Sequence, residues 1–413
     1  MKLLIITQYF PPEMGAPQAR LSELAIRLRD KGWTITVLTA MPNYPTGRIF
    51  DGYRWRLRMT EEIDGLRVVR TCLFPSKSSR ALPRLLSYLS FVCTSVVLGI
   101  WGLGRQDVVL FESPPLFLIP AGLVIGRLTR GRIIMNCSDI WPDQLVRMGR
   151  LSEGLSLKLL RWLERFGYEH SDAVTVTNPG AVQDVKGRFP HVPVAIISNG
   201  VDTKLFRPDL RSDAVRASLG VGPDDFLAGY CGLHGLAQGL EVILDAAERL
   251  RDLPRIKFVL IGDGPTRDDL IQMAGRKQLT NVTFLDRRPK KEMPPILASC
   301  EVSLVPLVAR LPGVMPSKVY EALASGAPPI VAKGCEGDPL VTQFDAGRTF
   351  EPMHGNELAE AVRELADHPD IYRRVRANGL TLSRRFDRDA IAERTDAVLR
   401  AVAEGRPLPE VAW

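Results

Sequence analysis

Short apolar runs alternate along this chain with longer stretches whose apolar positions recur every three or four residues, and the alternation comes in two successive series. Runs of the first kind read as strands buried on both faces, and stretches of the second kind as amphipathic helices laid over them. The first series predicts strands at residues 3–7, 34–39, 66–70, 108–112, 132–136 and 173–176, with helices at 19–31, 116–129 and 156–170. The second predicts strands at 226–232, 257–261, 282–285, 302–306 and 329–332, helices at 239–251, 266–277, 290–299 and 317–323, and further helices from there to the end. Strands joined by crossover helices make parallel sheets covered on both faces. The pattern therefore predicts an α/β chain of two doubly wound domains, with ligands at the carboxyl ends of the strands and in the cleft between the domains. The join falls near residues 197–206, where Asn199 and Gly200 supply turn chemistry.

One run breaks the alternation. Residues 85–103, LLSYLSFVCTSVVLGIWGL, carry no charge over a length that just reaches the membrane-spanning threshold. Ser87, Ser90, Thr94 and Ser95 interrupt the run, and the strands close on either side belong to a sheet that a span would break. The reading is a buried or membrane-dipping helix, with a true span and a surface groove for a lipid as the other two. Arg80, Arg84 and Arg105 at its ends, with Trp101, suit a helix lying against an anionic bilayer.

Composition sets the class. With 413 residues, 45% of them hydrophobic and 24% charged, the chain is long enough for two globular domains and is not disordered. Residues 1–200 hold 25 Lys and Arg against 16 Asp and Glu, whereas residues 201–413 hold 29 against 31, so the first half carries the excess behind the formal net charge of +7. A basic half faces nucleic acid, an anionic membrane or a phosphorylated acceptor. No nucleic-acid signature accompanies it, so nucleic acid is not expected as a partner. The six cysteines are far apart, with no CxxC and no clustered His, which argues against a disulfide framework or a structural zinc site and fits a reducing cytoplasm. Lys2 precedes an apolar run too short for the core of a signal peptide.

Candidate chemistry concentrates at residues 316–330, PSKVYEALASGAPPI. A loop opening on Ser317 and Lys318 runs into a short apolar-periodic stretch stopped by Gly326 and two prolines, the pattern of loop, helix and break. The first turn offers unpaired backbone N–H groups, a positive dipole end and a lysine to an anion. Glu321, one turn further in, is placed for its carboxylate to accept hydrogen bonds from two vicinal hydroxyls of a sugar. Phosphate and ribose held together mean a nucleotide; an ordinary helix start with a surface Glu is the competing reading.

The succession QYFPPEMGAPQAR, NCSDIWPDQLVRMG, SNGVDTKLFRP, GYCGLHGLAQGLEVILDAAERL, FVLIGDGP and PSKVYEALASGAPPIV resembles glycosyltransferase family 4 over essentially the whole chain, and within it the bacterial subgroup proposed to transfer N-acetyl-L-fucosamine in O-antigen and capsule assembly. The resemblance implies the GT-B architecture of two Rossmann-like domains. Residues 1–196 would bind the acceptor, residues 197–385 the nucleotide sugar, and residues 386–413 would form a helix packing back toward the first domain. It also implies retention of anomeric configuration with no cofactor beyond the UDP-sugar substrate, and no metal. The sequence has no DxD at a strand end, in keeping with that.

Residue by residue, the match assigns Gly15, in the loop after the first strand, to the donor phosphate, with a plain turn as the alternative. Glu13, or Gln18 and Arg20, would touch the acceptor. Asp139 ends the strand 132–136 where many relatives place a His; its carboxylate either stabilises charge on the transferred sugar or caps the following helix. Gly235 and Gln238 lie in the glycine turn that faces the diphosphate. Much of the family carries an Arg and a Lys there and this chain does not, so Lys318 becomes the source of positive charge, with His234 as a polar helper. The family's first glutamate, eight residues before Glu321, is replaced by Gly313, and backbone N–H groups of Gly313, Val314 and Met315 would serve the donor sugar instead. Ser317 opens the anion-binding turn, and Gly262 lines the nucleotide pocket beside Arg288, whose backbone would read the uracil edge. The expected function is transfer of a sugar from a UDP-sugar to a polyprenyl-diphosphate-linked saccharide in surface polysaccharide assembly, by a cytoplasmic protein attached peripherally to the anionic inner face of the cell membrane. A non-catalytic sugar-nucleotide-binding scaffold and a UDP-sugar epimerase are the alternatives.

Overall fold

In the computed structural model, which describes residues 1–78, 80–143, 146 and 152–410, the chain divides into two compact units. Unit 1 comprises Met1–Ser198 together with Ile391–Trp413, and unit 2 comprises Asn199–Ala390. The second half of the NCSDIWPDQLVRMG run, residues 144–145 and 147–149, lies outside the described residues.

Unit 1 is built on strands β1 (Lys2–Ile6), β2 (Thr34–Ala40), β3 (Arg58–Ile63), β4 (Leu66–Thr71), β5 (Val108–Ser113), β6 (Arg132–Cys137), β7 (Ala173–Val176) and β8 (Val194–Ile196), in the spatial order β3-β4-β2-β1-β5-β6-β7-β8. All pairs are parallel except β3 with β4. Helices α1 (Ala16–Asp30), α2 (Ala81–Thr94), α3 (Ile119–Thr129), α4 (Leu155–His170) and α5 (Pro179–Arg188) make the crossovers. The central strands are buried on both faces, as a parallel sheet with helices on each side requires. Ile5 of β1 stands between Val37 and Leu110 in register. Leu4 and Ile6 point into one core with Phe91 and Phe111, and Leu3 and Ile5 into another with Trp33 and Leu28.

Unit 2 has strands β9 (Phe226–Cys231), β10 (Ile256–Ile261), β11 (Val282–Leu285), β12 (Val302–Val305), β13 (Pro329–Ala332) and β14 (Arg348–Phe350), all parallel in the order β11-β10-β9-β12-β13-β14. Its helices are α6 (Asp213–Ser218), α7 (Glu241–Arg249), α8 (Arg267–Arg276), α9 (Met293–Ala298), α10 (Ser317–Ser325), α11 (Gly337–Gln343), α12 (Gly355–Asp367) and α13 (Pro369–Ser383). The order of connection reverses beside β1 in unit 1 and beside β9 in unit 2. Loops leaving β1 and β5, or β9 and β12, therefore part toward opposite faces of their sheet, and each parting opens a crevice at the carboxyl edge.

Three strands went unseen by the pattern: β3, which is an antiparallel edge with the mixed sequence RMTEEI, and β8 and β14, of three residues each. The chain beyond residue 332 is therefore not all helix. The uncharged run is the α-helix α2, beginning earlier than expected at Ala81, followed by a π-helical turn at Ser95–Gly99. Phe91, Ser95 and Gly99 are buried against the sheet, and Thr94 Oγ1 donates to the Cys72 carbonyl at 2.6 Å. The window Leu82–Gly99, at mean hydropathy 1.4, is long and apolar enough to cross a membrane, and only 22% of it is buried in unit 1, so most of the helix is not the buried one expected. Leu82, Leu86, Leu89, Val97 and Trp101 stand on its outer face.

The last helix, α14 (Arg388–Ala403), enters unit 1 from Ile391 onward. Leu399 and Val402 are buried in the cluster that holds Leu3, Ile5 and Trp33, and Trp33 Nε1 donates to Asp396 Oδ1 at 2.6 Å. Arg400 lies over the Trp33 ring, 5.6 Å from its centroid. Leu399→Ala opens a cavity at this seam, and the expected cost is about 2–5 kcal/mol of unit 1 stability. Denaturant unfolding followed by fluorescence reads it, and a loss below about 0.5 kcal/mol would show that unit 1 does not depend on the helix.

Candidate functional site

In unit 2 the loops after β9 and β10 meet at two glycines. Gly232 and Gly262 have φ of 153° and 154°, a region side chains avoid, and their N–H groups extend the ladder to Ile261 O at 2.8 Å and Leu285 O at 3.1 Å. A Cβ on Gly262 would lie 1.8 Å from the Gly232 carbonyl oxygen, and one on Gly232 would lie 2.5 Å from Lys318 Nζ. Glycine at both places thus brings the two loops and the Lys318 ammonium together. His234 follows, its N–H bonded to Asp263 O at 2.9 Å and its carbonyl accepting from Thr266 N at 3.1 Å and Thr266 Oγ1 at 2.9 Å. The His234 ring is 0% exposed, and neither nitrogen has a partner among the described residues. Burial lowers its pKa, and Arg267 and Lys318 push the same way against Asp263.

Helix α10 presents the next two groups. It starts at Ser317 with no side-chain cap, and Val319 N–H in its first turn bonds Pro316 O at 3.1 Å, which leaves the N–H groups of Ser317 and Lys318 facing outward from the helix start. Lys318 Nζ donates to Tyr230 Oη at 3.3 Å and sits 4.7 Å from the centroid of that ring, while Tyr230 Oη donates to Leu233 O at 2.7 Å. Two of its ammonium hydrogens keep no acceptor among the described residues. Burial lowers the Lys318 pKa, with Cys231 and Glu321 opposing. Glu321 is half-buried and makes no hydrogen bond or ion pair with a described residue. Burial raises its pKa, and Lys318 and Lys290 only partly offset that. An amine and a carboxylate, each desolvated and each with spare hydrogen-bonding capacity, are arranged for a ligand that supplies what they lack.

Other expected donor residues are placed around this pair. Gly235 and Gln238 bracket a 3₁₀ turn at Leu236–Gln238, with Gln238 N bonded to Gly235 O at 3.1 Å and the Gln238 side chain folded back over Gly235. Ala237 O accepts from Val308 N at 3.0 Å, tying this turn to the loop after β12. In that loop Gly313 N donates to Glu336 Oε1 at 3.0 Å and Val314 N to Leu311 O at 3.2 Å. Of the three N–H groups expected to serve the sugar, two are therefore spent within the protein, and Met315 N–H is the one left without an acceptor among the described residues. Ser317 is exposed, and the half-exposed Arg288 stands after β11, 3.9 Å from Glu292.

In unit 1 the loop from β1 to α1 is held by buried charge. Glu13 Oε1 accepts from Asn43 N and Tyr44 N, both at 2.8 Å, and Oε2 from Phe10 N at 3.2 Å. Burial raises its pKa against these three bonds and Arg70. The carboxylate expected to touch an acceptor is instead engaged in shaping its own loop. Arg70, fully buried, reaches Ala40 O at 3.0 Å and also bonds Pro11 O and Glu61. Gly15 precedes α1 with extended backbone, close to the Gln18 side chain, whose Oε1 is buried without a partner among the described residues. Gln8, only 1% exposed, has neither amide atom partnered there.

Arg20 joins a polar chain along the strand ends. It donates to Glu112 Oε2 at 3.2 Å and Ser138 Oγ at 2.8 Å; Asn136 Nδ2 donates to Glu112 Oε1 at 2.7 Å, and Thr175 Oγ1 to Asn136 Oδ1 at 2.6 Å. Asp139 follows directly, half-buried after β6, with its carbonyl accepting from Trp141 N at 3.1 Å. Sequence reasoning missed Glu112, Asn136, Gln8 and Tyr230. All four are polar residues at or just past the carboxyl end of a buried parallel strand, and that placement was the available signal.

Residues 15–200 match the family model of the glycosyl transferase 4-like domain, and residues 226–368 that of glycosyl transferases group 1. WcaI of Escherichia coli strain K12, a glycosyl transferase assigned to colanic acid biosynthesis, is 27% identical over 341 residues, 80% of this chain and 83% of that one. Among solved structures, Anabaena HepE in complex with UDP superposes with a TM-score of 0.73 at 20% identity, covering 97% of this chain and 100% of that one. Sucrose-phosphate synthase from Thermosynechococcus elongatus gives 0.73 at 17% identity, covering 98% and 99%.

The unpartnered Glu321 has a measurable consequence. A carboxyl whose pKa is raised on folding disfavours the folded state once it ionises, so the penalty is complete above the raised pKa and vanishes below the ordinary glutamate range. Glu321→Gln should therefore raise the thermal midpoint at neutral pH, and the gain should disappear as the pH falls below about 4. Midpoints of the two proteins that coincide at every pH would show the carboxylate to be compensated.

Proposed function

The chain is a glycosyltransferase of GT-B type, a glycosyl transferase 4-like domain followed by a group 1 domain, and we propose that it moves a sugar from a UDP-sugar to a polyprenyl-diphosphate-linked saccharide with retention of configuration. The observation that carries the donor half is the pair on α10: Lys318 with ammonium hydrogens to spare beside two glycine loops, and Glu321 with no partner among the described residues. Lys318 and the N–H groups at the start of α10 would meet the diphosphate, and Glu321 the two ribose hydroxyls, with the edge of the base near Gly262 and Arg288. UDP bound to HepE, which has the same fold, supports the choice of nucleotide. As UDP departs, positive charge grows at the anomeric carbon, and the carboxylate of Asp139 is assigned to oppose it. With the diphosphate charge met by a lysine and a helix start, the reaction is proposed to need no divalent metal.

The acceptor half rests on unit 1. Gln18 and Arg20 stand at the carboxyl edge of its sheet, and the relationship to WcaI supports a role in surface polysaccharide assembly. On the subgroup resemblance, UDP-N-acetyl-L-fucosamine is the first donor to try. A lipid-linked acceptor also accounts for α2. Its outer face is apolar, with Leu82 66% and Trp101 69% exposed, and Arg80, Arg84 and Arg105 are exposed near its two ends. We propose peripheral attachment to an anionic inner leaflet, each basic side chain near the surface adding about 1 kcal/mol.

Incubating purified protein with UDP-sugars and polyprenyl-diphosphate saccharides, with and without chelator, tests the reaction. Transfer that survives the chelator is expected, and Glu321→Ala should weaken UDP binding by about 2–4 kcal/mol in calorimetry. Unchanged UDP affinity in that variant would remove Glu321 from the donor site.

Membrane attachment is read separately by washing membranes. Release at high salt is expected, because exposed charges are screened. Retention until detergent is added would instead identify α2 as a span.

A further inference from the structure

The carboxyl edge of the unit 1 sheet carries four aromatic rings that none of the roles above uses. Tyr9 follows β1, Tyr44 follows β2, Phe117 follows β5, and Tyr88 projects from α2; β2, β1 and β5 are adjacent in the sheet. The Tyr9 and Tyr44 rings lie edge to face with centroids 5.8 Å apart, and Tyr88 and Phe117 are stacked, also 5.8 Å apart at 21°. Burial lifts the Tyr9 hydroxyl above its ordinary range, with Tyr88, Glu13 and Tyr44 adding to the rise and Arg84 opposing it, so the two ring pairs lie within electrostatic reach of each other. Tyr44 is 46% exposed, and the other three rings are each partly exposed.

Rings gathered only to fill a core would be buried and their hydroxyls satisfied. Here the hydroxyls of Tyr9 and Tyr44 bond no described residue, and Arg84 Nε, itself exposed, is turned onto Tyr88 Oη at 3.2 Å. The assembly is an aromatic surface with a rim of phenolic hydroxyls and a guanidinium. That combination fits a pyranose: one face of the ring presents C–H bonds to the electron-rich faces of aromatic side chains, while the hydroxyls around its circumference need donors and acceptors. A lipid tail would use the faces and leave the polar rim idle.

We infer that Tyr9, Tyr44, Tyr88 and Phe117, with Arg84, form a saccharide subsite that holds one pyranose ring of the acceptor, an inference that rests on the glycosyltransferase reading of unit 1. Two of its members, Tyr88 and Arg84, lie on α2 itself, so sugar recognition and the apolar outer face share one helix. The subsite belongs to unit 1, and Lys318 and Glu321 to unit 2, which allows it to be tested by binding alone.

The test is saturation-transfer NMR on the full chain with octyl β-glucoside and octyl β-galactoside, held below their micelle-forming concentrations, alongside calorimetry with UDP. Saturation of the ring protons is expected in the unsubstituted protein. Tyr44→Ala and Tyr88→Leu should each reduce sugar affinity by about three- to ten-fold, while Tyr44→Phe retains most of it and UDP affinity is unchanged throughout. Thermal midpoints check that each variant is folded. Saturation confined to the alkyl chain, ring saturation equal in all variants, or none in the unsubstituted protein would each overturn the subsite. Failure of UDP to bind the unsubstituted protein would count against the donor reading and leave the sugar measurement to be judged on its own.

Discussion

Parallel pairing is the constraint on which the rest depends. A sheet whose central strands all run one way, with helices on both faces, has no room for a ligand on either face, and only its carboxyl edge is available. Where the order of connection reverses, beside β1 in unit 1 and β9 in unit 2, the loops part and leave that edge open. The chemistry follows the topology. Glu13, Gln18, Arg20 and Asp139 come from loops and helix starts after β1 and β6, and Gly232, Gly313, Lys318 and Glu321 from those around β9 and β12.

Charged groups in these loops divide into two kinds by how fully they are partnered. Glu13 accepts three backbone N–H groups, and Arg70 bonds two carbonyls and a carboxylate, so these groups fix the course of the chain and have little left to offer. Lys318 and Glu321 are also withdrawn from water, yet one has hydrogens to spare and the other has no partner among the described residues. Leaving such groups uncompensated costs stability, and that arrangement persists where a bound molecule completes the set. The contrast separates architecture from binding more sharply than burial alone.

Much of this was legible in the sequence because the information is local. The central strands are apolar runs, and the Lys318 and Glu321 pair is three residues apart on one helix, so period and spacing sufficed. What escaped is non-local or weakly patterned. Strand β3, with RMTEEI, has one neighbour and no buried face to impose alternation, and β8 and β14 are too short to show a period. Glu13 was readable as a polar residue in a loop, but its partners Asn43 and Tyr44 lie 30 and 31 residues away, and Arg20 meets Glu112 across 92. No window of local sequence contains those bonds. The uncharged run at residues 85–103 showed its hydrophobicity but hid its start, because α2 opens with Pro83 and Arg84 in its first turn, where proline and a charge are tolerated.

The placement of α14 bears on how the polypeptide is made. Synthesis delivers the amino-terminal residues first, and domains ordinarily finish in that order. Here Leu3, Ile5 and Trp33 share a core with Leu399 and Val402, so the unit begun first cannot close until residues 399–402 have left the ribosome. Unit 2, whose residues 199–390 are contiguous, has everything it needs earlier. On the ribosome the second unit is thus free to complete itself while the first still waits with an apolar seam uncovered, and a chain cut just after residue 390 would retain an intact second unit beside an unfinished first one.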